Sequence, residues 1–182
     1  MIRRVFGKAP VFPAILTIFL FGLAGAAMAS TQTGRSSSLA DEVRHQLIML
    51  PYYDVFDHIA FTINDQNTVV LTGQVTQAFL KDDAENAVRS IQGVGKITNS
   101  IEILPLSRFD DQIRLATFRA IYLRPGFERY VIQANRPIKI IVKNGHVILD
   151  GYVQNKVEKT TAMLAANSVP GVFSVTDNLK IG

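Results

Sequence analysis

Cysteine is absent from this chain of 182 residues. Disulfides, thiolate nucleophiles and cysteine-based zinc sites are excluded together. Histidine is nearly as scarce: His45, His58 and His146 fall in different segments and form no H-x-x-x-H or carboxylate-bracketed metal pattern. There is no G-x-S-x-G elbow, no phosphate-cradling glycine loop and no EF-hand loop. Gly93-Val94-Gly95 is too short for a nucleotide fingerprint and precedes a strand rather than a helix. Asp82-Asp83 is expected in the first turn of a helix, where acids suit the positive dipole end, so the pair reads as structural. No enzyme activity, cofactor or metal is expected. Without covalent staples a domain of about 70 residues is marginal on its own apolar packing, so two in one chain are expected to lean on each other.

A long hydrophobic run occurs once, from Val11 to about Ala27, behind a basic start of Arg3, Arg4 and Lys8. It closes on Ala27-Met28-Ala29, a small-x-small cleavage pattern. Residues 1–29 therefore read as a signal peptide cleaved after Ala29, with export as the expectation; the alternative is an uncleaved anchor facing the same compartment. Removing three positive charges with this segment takes the formal net charge from +4 to about +1.

The remainder repeats itself. Val69-Val70-Leu71-Thr72-Gly73 aligns with Val147-Ile148-Leu149-Asp150-Gly151 at an offset of 78, without a gap to Ile103 and Ile181. Twelve of these 35 positions are identical, among them Gly73/Gly151, Val75/Val153, Lys81/Lys159, Ala84/Ala162 and Gly93/Gly171. A duplicated unit follows. In the first copy Leu39, Val43, Leu47 and Leu50 recur at helical spacing, with Ser38 as a cap and Pro51 as a stop. Ile59, Phe61 and Ile63 alternate into a turn over 64–67, and Val69, Leu71 and Val75 continue as a hairpin. A helix from about Gln77 to Gln92 ends near Gly93, and a strand over Ile97 to Ile103 closes the unit. The second copy has a helix over Phe109–Leu123, a hairpin turning on Asn144-Gly145, a helix opened by Asn155 with Glu158 as capping partner, a stop at Pro170-Gly171 and a last strand. The fold class is α+β, αββαβ twice, each copy a mixed three-stranded sheet covered on one face by two helices.

Val147-Ile-Leu-Asp-Gly-Tyr-Val153, the helix carrying Ala162, and Val169-Pro-Gly-Val172 resemble the BON domain, over about 39–105 and 109–182. Its markers, the glycine after the second strand and the Gly-Val before the third, are kept in both copies as structural glycines Gly73, Gly93, Gly151 and Gly171. The resemblance implies a periplasmic protein of the cell envelope, associated with phospholipid and with protection under osmotic stress. The family is defined by a scaffold rather than a catalytic motif.

Charge divides the copies. Residues 30–105 carry five Lys/Arg against nine Asp/Glu, and residues 106–182 carry eleven against six. The basic second copy is expected to be drawn to an anionic phospholipid surface; the alternatives are an ordinary solvated basic surface or one that pairs with the acidic first copy. The candidate lipid-binding surface is Arg114, Arg119, Arg124, Phe127, Arg129, Lys139 and Lys143. Within the insertion over 124–130, Phe127 and Tyr130 suit either a headgroup region or a lid over the sheet. Nucleic acid is not expected as a partner. The alternatives to the lipid reading are an adaptor docking an envelope protein, through the acidic first copy or a sheet edge, and a chaperone-like protein.

Overall fold

Each copy builds a sheet whose middle strand pairs with one antiparallel and one parallel neighbour. The structure, a computed structural model, describes residues 39–182; the signal-peptide reading of 1–29 and the Ser38 cap lie outside them. The first copy comprises α1 (residues 39–48), β1 (His58–Ile63), β2 (Val69–Val75), α2 (Ala78–Arg89) and β3 (Ile97–Ile103). The second comprises α3 (Arg108–Tyr122), the short α4 (Glu128–Val131), β4 (Ile138–Lys143), β5 (His146–Val153), α5 (Lys156–Asn167) and β6 (Ser174–Ile181). The sheet orders are β1-β2-β3 and β4-β5-β6. In both, the first two strands pair antiparallel and the last two parallel. The α+β class, twice over, is as the periodicity predicts.

Alternation decides which face of each sheet the helices cover. Val69, Leu71, Val75 and Ile101 join Val43 and Leu47 of α1 and Leu80, Ala84 and Val88 of α2 in one core. Ile138, Ile140, Val142, Val147, Leu149 and Leu179 join Ile113, Ile121 and Tyr122 of α3 and Ala162, Ala165 and Ala166 of α5 in the other. Small residues along α5 allow that helix to approach its sheet closely. Asn155 caps α5 as expected: its Oδ1 accepts the Glu158 N–H at 2.9 Å, and its amide donates back to the Glu158 carboxylate at 2.9 Å. One expectation is corrected. Because α2 begins at Ala78, Asp82 and Asp83 fall in its second turn, and no acid occupies the first.

The same hydroxyl anchor serves both copies. Tyr53, just after α1, accepts the Ile59 N–H with its hydroxyl at 3.3 Å. Tyr122, ending α3, accepts the Ile138 N–H at 3.1 Å and donates to the Ile138 carbonyl at 2.6 Å. The tyrosine lies 6 residues before its strand partner in the first copy and 16 in the second. The insertion therefore loops out between two fixed points. Its Phe127 and Tyr130 turn inward and are buried against the second core, the lid arrangement rather than a headgroup contact.

Two repeat glycines are fixed by geometry. Gly73 and Gly151 both have φ +120, and a Cβ on either would strike the carbonyl oxygen of the neighbouring strand, that of His58 or Pro137. Gly93 has φ +98 but open space around it. Replacing Gly73 or Gly151 by alanine should cost about 3 kcal/mol, whereas Gly93→Ala should cost about 1 kcal/mol for the left-handed backbone alone. Urea titration of the three variants checks the ordering.

Candidate functional site

The basic residues of the second copy go three ways. Some are consumed inside their own domain. Arg114 is only 4% exposed; its guanidinium donates to the Val142 carbonyl at 2.7 Å and to the Asp111 carboxylate at 2.5 Å. The neighbouring Asp110 is fully buried and accepts the N–H groups of Asn144 and Gly145 at 2.9 and 2.8 Å. Together they fasten α3 to the β4–β5 turn, whose free N–H groups would otherwise be buried unpaired. Arg129 pairs with Glu158 and lies over the Tyr130 ring. Burial works against ionisation of Glu158, but hydrogen bonds from Tyr130, Arg129 and the Gln154 N–H together hold its pKa below the usual value.

Others face the first copy. Arg136 pairs with Asp54 at 3.2 Å and Lys143 with Glu102 at 2.5 Å. A hydrogen bond from Lys143 pulls the Glu102 pKa down. Lys139, only 6% exposed, donates to the Asp54 carbonyl at 3.1 Å and to Asn135 Oδ1 at 3.0 Å. Its ammonium sits 4.1 Å from the centroid of the Tyr53 ring, a cation–π contact. His58 stands 3.7 Å from Asp150. His58, Glu102, Lys139, Lys143 and Asp150 all alternate with core residues, so this joint lies on the helix-free faces of the sheets. The sequence alternative in which basic residues pair with the acidic first copy is what the structure shows for these cations.

An apolar peg reinforces the joint. Val55, from the segment between α1 and β1, is buried in the core of the second copy. Its carbonyl accepts the Ile140 N–H at 2.8 Å, on the side of β4 turned away from β5. Phe56 meets Phe118 of α3 edge-on, with ring centroids 6.3 Å apart. Asp57 secures the segment from behind, accepting the N–H and hydroxyl of Thr76 at 2.7 and 2.9 Å and the Asp54 N–H at 3.1 Å. Sequence reasoning missed Val55 and Asp57, since a short segment between elements has no periodicity to read.

The seven candidate lipid-contacting residues therefore do not share one face, and that expectation is corrected. Arg114, Phe127 and Lys139 are buried, and Arg129 and Lys143 hold carboxylates. Arg119 and Arg124 remain exposed, and neither enters an ion pair among the described residues. Along α3 the positions Arg108, Gln112, Leu115 and Arg119, with Leu123 at the C-cap, recur at helical spacing, and all are exposed. They form a ridge of mixed basic, polar and apolar character.

The class defined by these features is a duplicated α+β scaffold in which the basic copy is docked on the acidic one. Among the described residues no cluster of His, Asp and Glu could hold a metal ion, and no helix is long and apolar enough to cross a membrane. The BON domain family model matches residues 36–105 and 128–182, and the chain belongs to that family. The second match begins at α4, yet α3 packs on the second sheet through Ile113, Ile121 and Tyr122. No curated protein matches the chain. Solved structures similar to it include two of CdsD, a structural protein of the type III secretion system of Chlamydia trachomatis. One, its C-terminal domain, is 12% identical with a TM-score of 0.30 and covers 79% of this chain and 97% of that one. The other is 12% identical with a TM-score of 0.31, covering 80% and 93%. Likeness at that level carries no conclusion about this chain.

Burial lowers the Lys139 pKa from the ordinary 10.5 to about 8; Asp57 and Asp54 oppose the shift and Arg136 adds to it. Between those two values the unfolded chain binds a proton that the folded chain has released, so stability rises with pH. Below pH 8 the penalty of the buried charge is fully present. Tyr53, which burial pushes up to about 12, affects stability only above its ordinary 10.0. Unfolding free energy should therefore climb between pH 8 and 10, and Lys139→Met should flatten that climb in urea titrations.

Proposed function

We propose that this is an exported, non-enzymatic protein of the periplasm that helps maintain the cell envelope by touching anionic phospholipid through the α3 ridge of its second copy. The observation that carries this reading is Arg119 on that ridge and Arg124 just past its end, both without an ion-pair partner among the described residues while the other candidate cations are engaged. Leu115 and Leu123 flank Arg119 at one-turn spacing and are about half or more exposed. Guanidinium groups suit bidentate contact with phosphate, and the leucines suit the headgroup boundary. Each arginine near an anionic surface contributes about 1 kcal/mol, so the contact is weak, reversible and screened by salt. The acidic first copy opposes approach by its own face, which orients the molecule. A role under osmotic stress is part of the same reading and rests on the family.

Liposome flotation of residues 30–182 tests it. Flotation is expected with phosphatidylglycerol vesicles at low salt, and neither with purely zwitterionic vesicles nor at high salt. Arg119→Glu with Arg124→Glu should abolish it, while Lys96→Glu in the first copy leaves it unchanged. No flotation under any condition, or flotation indifferent to the arginine reversals, would remove the support for this surface.

A further inference from the structure

Where α1 hands over to β1, beside the segment that meets the second copy, a groove of about 610 Å³ is lined in part by Tyr52, Asp54, Phe56, Asp57 and Phe79. Its rim is aromatic and open. Tyr52 is 82% exposed and Phe79 42% exposed, and their rings meet edge to face with centroids 5.8 Å apart. Ile48 and Met49, at the end of α1, are exposed as well.

The backbone of Tyr52 is strained to hold that ring outward. Its φ is +65. It stands third in a turn closed by the Tyr53 N–H donating to the Leu50 carbonyl at 3.3 Å, with Pro51 before it. A positive φ at that position favours glycine or asparagine, and a bulky side chain there is costly. Core packing gains little in return, because the ring lies in solvent. Strain kept for the sake of an exposed aromatic is a signature of a binding position.

Charge decides the occupant. Asp54 and Asp57 line the groove, and Asp82 and Asp83 follow Phe79 by three and four residues on the same face of α2. Of these four carboxylates Asp54 pairs with Arg136 and Asp57 is buried with its oxygens held by Thr76 and the Asp54 N–H, which leaves Asp82 and Asp83 without an ion-pair partner among the described residues. We infer that this acidic, aromatic groove docks a short peptide segment of a partner protein that carries both basic and apolar side chains. The rings give the segment a rigid anchor and a face for its cations. The carboxylates repel acidic segments and speed the encounter with basic ones. The site lies on the copy opposite to the lipid-facing ridge, and the two readings stand or fall separately.

Fluorescence anisotropy with the full chain provides the test, the probe being a short labelled peptide alternating lysine and leucine. Its counterpart with glutamate for lysine is the control. The basic peptide should bind and the acidic one should not, and salt should weaken the binding. Tyr52→Gly is the informative variant. It relieves the strained turn, so Tm holds or rises, while affinity falls about tenfold. Phe79→Ser, and Asp82→Asn with Asp83→Asn, should weaken binding in the same direction. Failure of the basic peptide to bind, equal binding of the acidic one, or undiminished affinity in Tyr52→Gly would each overturn the inference. Self-association in sedimentation that Tyr52→Gly abolishes would also overturn it, because the occupant would then be a second copy of this chain.

Discussion

The arrangement of the molecule depends on one short segment, residues 54–57, serving two domains. Val55 completes the core of the second copy and its carbonyl accepts an N–H from the outer side of β4. Asp57 fastens the same segment to the end of β2 through Thr76. Two requirements are met together. A sheet edge that would invite foreign pairing receives a partner, and a small domain with no disulfide gains apolar burial it lacks on its own.

Once that segment is in place, the charges fall into order around it. Asp54 receives Arg136, and its carbonyl receives Lys139. Lys143 reaches Glu102 at the other side of the joint. Ion pairs exposed to water contribute little each, so these set orientation more than strength. Lys139 is the exception because it is buried. Its charge is costly there, and the Tyr53 ring and two oxygen acceptors offset part of that cost. His58 belongs to the same joint: burial chiefly depresses its pKa, Lys139 and Lys180 add to the effect, and Asp150 opposes it.

The duplicated fold is legible in the sequence because its determinants are local. Alternating strands, the Asn155–Glu158 cap and the glycines at 73 and 151 each report a backbone requirement that a single stretch of chain displays. The docking of the copies is not legible in the same way. Arg114 reads as a surface cation, yet its guanidinium is drawn inward to the β4–β5 turn by the Val142 carbonyl. Lys139 alternates with Ile138 and Ile140 and so reads as facing water, but another domain covers that face. Phe127, in an insertion without periodicity, gives no sign of which way it turns. The opposed charges of the two halves did carry the information, as the pairing alternative. What they could not specify is which cations would be spent on that pairing and which would stay in solvent.

The shared segment also gives the chain a direction in time. Val55 leaves the ribosome, and crosses any membrane amino end first, well before β4 exists to receive it. Synthesis from the amino end therefore delivers the peg before the strand edge that it pairs with. The repeat is symmetrical in architecture but not in order of emergence: the residue that completes the second core is made before the rest of that core.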